Sequence, residues 1–257
     1  MESPRLRLSR RALCAGALAL VSSRARAFGA GGAFHVRFLQ AGLAPPSGPR
    51  NSAGARWAWE VIRRTSAPAR LTSAIVAADE TTLLEEPFVV WAGATQVVPL
   101  ADPEIRGLRQ YLSLGGMLLV DDSDPASGEF GRSVRRELAR VLPESPVIRL
   151  PERHVLFKSY YLIDRPVGRV QGPTHLEAIT AGNAIRVLLS SHDLLGALAQ
   201  RSAAGQWAFS VASGGARQRE LAVRLAVNTA MYVLCLDYKD DQVHAEELMR
   251  RRGRRRP

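Results

Sequence analysis

Tyr111-Leu112-Ser113-Leu114-Gly115-Gly116-Met117-Leu118-Leu119-Val120-Asp121-Asp122 is the stretch that decides the fold. Its first residues finish a helix, because Ile105, Leu108, Tyr111 and Leu112 recur at the spacing of one helical face. The glycine pair closes that helix and leads directly into Met117 to Val120. A short, continuous apolar run of this kind is the pattern of a strand covered on both faces by helices. The strand then runs out into Asp121-Asp122-Ser123-Asp124. Helix, turn, buried strand and polar tip form one half of a crossover unit, and crossovers join parallel strands.

The same alternation continues outward. Phe34 to Leu39 alternates apolar and polar residues as a half-buried strand does, while Ser73 to Ala77 and Phe88 to Ala92 repeat the continuous apolar pattern. Between them Trp57, Val61 and Ile62 mark a helix that ends near Pro68, with Trp59 and Glu60 on its other faces. Asp102-Pro103-Glu104 is a helix start: Asp as cap, Pro in the first turn and an acid at the positive helix end. Downstream, Val134, Leu138 and Val141 mark a further helix, and Val147 to Leu150 a strand. His154 to Tyr161 is a further strand candidate, and Gly168 to Ile179 reads as a hairpin-like insertion. Ala184 to Leu189 is the last strong strand, and a long helix from Gln218 to Leu236 presents Leu221, Leu225, Val227 and Val233 to a core. The expected architecture is one doubly wound α/β domain over residues 28–245 with a mostly parallel sheet.

Both ends differ from this body. Ser9-Arg10-Arg11, an uncharged Ala/Leu-rich run from Ala12 to Ser23 and Ala25-Arg26-Ala27 are the basic, apolar and small-residue parts of a cleavable export signal. The paired arginines point to the twin-arginine route, cleavage after Ala27 and a periplasmic address. A retained anchor needs roughly 20 apolar residues, more than this run supplies before Arg24. At the other end, Arg250, Arg251, Arg252, Arg254, Arg255 and Arg256 form a like-charge block, so residues 246–257 are expected to be a disordered tail. Such a tail suits an anionic membrane or lipopolysaccharide surface.

Six arginines against Glu2 leave +5 in the first 27 residues and Arg250 to Arg256 add +6, so of the formal charge of +11 none is left for residues 28–249. The body therefore has no net field to steer a polyanion, and the terminal arginines lack the interleaved aromatic residues of a nucleic-acid platform. Nucleic acid is not an expected partner. There are two cysteines. Cys14 falls in the export signal, so Cys235 is unpaired and, among Met231, Val233, Leu234 and Leu236, is expected to be a buried core thiol.

In an open α/β sheet, ligands bind beyond the carboxyl ends of the strands. The residues that follow the strands are Gly93-Ala94-Thr95, Asp121-Asp122-Ser123-Asp124 and Ser191-His192-Asp193, with His154 at another strand boundary. Asp121, Asp122, His154, His192 and Asp193 form a ligand pool for a divalent metal, or a set of general acids and bases. The simpler reading has Asp122 and Asp193 capping the helices that follow. No HExxH, paired CxxC or EF-hand spacing favours a metal, and neither a G-x-S-x-G elbow nor a phosphate-binding G-x-x-x-x-G-K-[ST] loop is present.

Taken with Trp91-Ala92-Gly93, Val141-Leu142-Pro143, Leu150-Pro151, His154-Val155-Leu156-Phe157, Ser191-His192-Asp193 and Val227-Asn228-Thr229-Ala230-Met231-Tyr232, the opening stretch resembles the bacterial domain-of-unknown-function 4159 family. The resemblance covers nearly all of the chain after the export signal. It implies a flavodoxin-like, three-layer α/β/α fold similar to class I glutamine amidotransferases, with no established activity, and it adds Asn228 to the candidate strand-end site of Gly93, Asp121, Asp122, Ser123, His154, His192 and Asp193. The amidotransferase nucleophile is a cysteine on a strand-to-helix turn, and no cysteine after Ala27 occupies such a place. Arg153 stands where the family usually carries an acid before its histidine. By analogy with neighbouring ATPase and adhesion modules, a protein partner in the envelope is expected. The sequence thus points to an exported, non-catalytic module that binds a ligand or partner and needs no cofactor. The alternative is a metal-assisted hydrolase acting on an envelope glycan or ester.

Overall fold

The computed structural model describes residues 32–42, 45, 48–201 and 205–253, with side chains as far as Leu236. The export signal, the side chains of Arg250 to Arg252, and Arg254 to Arg256 lie outside the described residues. The elements in chain order are β1 (Arg37–Gln40), α1 (Ala53–Arg64), β2 (Ala74–Ala77), β3 (Phe88–Gly93), α2 (Asp102–Ser113), β4 (Met117–Asp122), α3 (Glu129–Val141), β5 (Ile148–Arg149), β6 (Glu177–Ala181), β7 (Ala184–Ser190), α4 (Leu194–Leu198) and α5 (Gly215–Gly253). The strands form one seven-stranded sheet in the order β2-β1-β3-β4-β7-β6-β5. Its first five strands are parallel, and β6 and β5 are added antiparallel at one edge. The parallel part has the flavodoxin-like order, with β7 in the fifth place.

Two cores explain the three layers. Phe88, Val90 and Ala92 of β3, with Met117 and Leu119 of β4, pack beneath α1, α4 and α5. Their sequence neighbours Val89, Trp91, Leu118 and Val120 pack beneath α2 and α3. Both strands are therefore buried on both faces, as their uninterrupted apolar sequence requires. On the first face Trp57 meets Phe34 and Phe88 at 5.5 and 5.6 Å between ring centroids. The Trp57 indole donates to the Ala226 carbonyl at 2.8 Å, which ties α1 to α5.

The deciding stretch works through its glycines. Gly115 has φ 105°, a conformation that β-carbon-bearing residues resist. A β-carbon on Gly116 would lie 2.4 Å from the Tyr111 ring, so the bare backbone lets that ring lie flat over the turn. The Tyr111 hydroxyl then donates to the Met117 carbonyl at 3.1 Å and fixes the first residue of β4.

Several local expectations are corrected. Asp102 is inside α2, and Ala101 stands at the cap position with its amide bonded to Glu104 at 2.8 Å. Ile62 faces solvent at 43% exposure, whereas Glu60 is buried because Arg56 and Arg64 pair with it. His154 to Tyr161 is not a strand: it holds a 3-10 turn over Val155–Lys158. Gly168 to Leu176 is a connecting loop, and the hairpin is made by β6 with β7. Cys235 is exposed. Helix α5 continues to Gly253, with no glycine or proline between Ala216 and Arg252, and residues 254–257 of the expected tail lie outside the described residues. Among the described residues, no helix is long and apolar enough to cross a membrane.

Candidate functional site

Parallel pairing puts the strand tips on one edge. Asp121 of β4 is level with Ser190 of β7, and Asp122 with Gly93 of β3. Asp121, Asp122, Ser123, His192 and Asp193 are all buried along this rim, and Gly93 is half-buried beside them.

Asp121 is fully buried, and its two oxygens accept from the amides of Leu194 and Leu195 at 2.9 and 2.8 Å. These are the first two residues of α4, whose orphan amides need acceptors. Burial, followed by the neighbouring Asp193 charge, pushes Asp121 up to about 7. Asp193 takes a left-handed conformation, φ 52°, and caps α4 by accepting from Gly196 at 3.0 Å. Asp and Asn are the side-chain-bearing residues most tolerant of that region. Arg50 reaches both Asp193 oxygens at 3.1 and 2.8 Å, and Arg169 pairs with it as well. Asp122 accepts from Asp124 at 3.0 Å and from Gly131, in the first turn of α3, at 3.2 Å. Burial raises Asp122 also.

His192 is buried, with Nε2 donating to the Pro173 carbonyl at 2.8 Å and Nδ1 meeting no partner among the described residues. Burial lowers its proton affinity, so the neutral ring is favoured. The loop over it depends on Gly172, at φ +56°, where a β-carbon would lie 2.8 Å from the imidazole Cδ2.

Two expected members are elsewhere. His154 precedes the 3-10 turn, and its Nε2 faces the Asn183 carbonyl at 3.5 Å, next to the start of β7. His192 follows the end of that seven-residue strand, about 20 Å away at ordinary strand rise. Asn228 lies buried on α5 and clamps the Leu156 to Tyr161 segment: it accepts from the Tyr161 amide and donates to the Leu156 and Tyr161 carbonyls, each at 2.8 Å. His154 and Asn228 therefore lie apart from the rim that holds Asp121, Asp122, His192 and Asp193. Among the described residues, no three His, Cys, Asp or Glu side chains converge as a metal site.

The partners that complete the rim, Arg50 and Arg169, were not foreseen. Their pairing with Asp193 spans 143 and 24 residues of sequence, and only the folded loops bring them together. Hydrogen bonds to amides hold Asp121 and Asp122, and an amide together with two arginines holds Asp193.

The model of the family described as a domain of unknown function, 4159, matches residues 52–234, which takes in α1 through most of the described part of α5 and every rim residue except Arg50. No curated protein matches the chain.

Proposed function

The chain belongs to the domain-of-unknown-function 4159 family, and from that premise we propose that it is an exported, non-catalytic α/β module that binds a ligand or protein partner in the cell envelope. The observation that carries the reading is the occupation of the rim. Asp121, Asp122 and Asp193, the groups best suited to bind a metal or move a proton, are already committed to the amides of α3 and α4 and to two arginines. A carboxylate held this way has little freedom to follow a reacting substrate. Export rests on the arginine pair, apolar run and Ala-x-Ala site of the first 27 residues. The terminal arginines add an affinity for anionic envelope surfaces.

The reading is tested with purified full-length chain, measured for bound metal and for turnover of ester and glycan substrates with zinc, magnesium, manganese or calcium added. The expected result is no stoichiometric metal and no turnover above buffer. Turnover abolished in a natively folded Asp121→Asn variant would overturn the reading and restore the metal-assisted hydrolase. For export, replacing Arg10 and Arg11 by lysine is expected to hold the protein in the cytoplasm; undiminished periplasmic protein would remove the twin-arginine route.

A further inference from the structure

The groove between α1 and the first turns of α5 gathers more cations than its own acids neutralise. A cavity of about 460 Å³ opens there, lined by Arg56, Arg63, Arg64, Arg219 and Trp207 together with Glu60 and Glu220. That volume is within the range of small-molecule sites. Both acids are taken: Glu60 bonds to Arg56 and Arg64, and Glu220 to Arg64 and Arg224.

Arg219 is a different kind of group. It is 8% exposed, and its guanidinium donates only to the Ala197 and Phe209 carbonyls, with no carboxylate partner among the described residues. The guanidinium groups of Arg56 and Arg219 both lie against the Trp207 ring, 4.5 and 4.4 Å from its centroid. One indole therefore holds two like charges close together. Burial, and then the Arg56 charge, lowers Arg219 from its ordinary value. Arg63 borders the same cavity, exposed, with its guanidinium over Trp59 at 4.9 Å and no ion-pair partner among the described residues. Like charges gathered around a cavity repel in the free protein, and an entering anion relieves that repulsion. Guanidinium groups bind oxyanions through paired, charge-assisted hydrogen bonds, and the indole supplies a flat apolar wall.

We propose that this groove binds a small organic oxyanion, a carboxylate or a phosphate ester, held by Arg63 and Arg219 with its uncharged part against Trp207. The proposal rests on the reading of the chain as a binding module and names the class of ligand. It is tested by calorimetric titration of the full chain at low salt with citrate and with pyrophosphate, which separate the carboxylate and phosphate arms. Arg63→Gln removes one groove charge from an exposed position where folding is not at risk. Arg255→Gln removes the same charge from the tail. Saturable one-to-one binding of at least one probe is expected, weakened about tenfold by Arg63→Gln and unchanged by Arg255→Gln. No saturable binding of either probe, or equal weakening by both substitutions, would overturn the groove. Neither outcome bears on metal content or turnover, so the groove and the non-catalytic reading fail separately.

Discussion

At the scale of single residues, the rim shows how a carboxylate's surroundings decide its work. Asp121 and Asp193 are both fully buried and close enough for one charge to raise the other. Asp193 has two arginines, whereas the partners of Asp121 among the described residues are the amides of Leu194 and Leu195. The proton therefore collects on Asp121. Its folded value of about 7 stands above the ordinary 3.8, so between these values the folded state binds more protons than the unfolded one. Stability linked to Asp121 is then present at low pH and is lost as pH rises towards 7. Urea midpoints of the wild type should fall between about pH 4 and pH 7 more than those of Asp121→Asn; parallel curves would show that Asp121 does not titrate there. Glu220 has the opposite sign. Its bond to Arg64 holds it down to about 2, so its contribution is present above the ordinary 4.5 and is lost only as pH falls through about 2. This opposes the Asp121 term only in strong acid.

At the scale of elements, local pattern predicted the regular parts and missed those set by distant partners. The glycine pair, the apolar runs of β3 and β4 and the helical spacing of α2 and α3 are short-range signals, and each formed the element its pattern implies. The segment after Pro151 has an apolar composition equally compatible with a strand, and its 3-10 turn is fixed instead by Asn228, 67 residues beyond Tyr161. Glu60 falls off the apolar stripe of α1, yet it is buried because arginines at i−4 and i+4 pair with it. Cys235 lies near the end of the packed part of α5, where the helix leaves the core while the apolar composition persists. If Asn228 is the anchor of the 155–161 segment, Asn228→Ala should remove three hydrogen bonds and cost about 1–3 kcal/mol. Amide exchange at Tyr161 should quicken well beyond the global change, and unaltered exchange there would contradict the anchoring role.

At the scale of the whole molecule, topology carries the argument from fold to site. Parallel pairing of β1, β3, β4 and β7 sends their tips to one edge, and that edge was readable from the sequence because the apolar runs of β3, β4 and β7 end abruptly in glycine, aspartate and serine. What the residues do there was not readable, since helix capping and metal binding call for the same side chains. Arg50 and Arg169, which pair with Asp193, come from loops whose position depends on the complete fold. The +11 charge likewise has meaning only once divided: it belongs to the two ends, while the body's local excess of cations sits in the groove beside α1 and α5. The central claim is that the rim carboxylates hold the structure together, and the most direct measurement is the urea unfolding free energy of Asp193→Ala. Losing this buried carboxylate removes the cap of α4 and strands Arg50 and Arg169, so a loss of roughly 3–5 kcal/mol is predicted. A variant as stable as the wild type would show that the rim is not structural, and would reopen it as a site of chemistry.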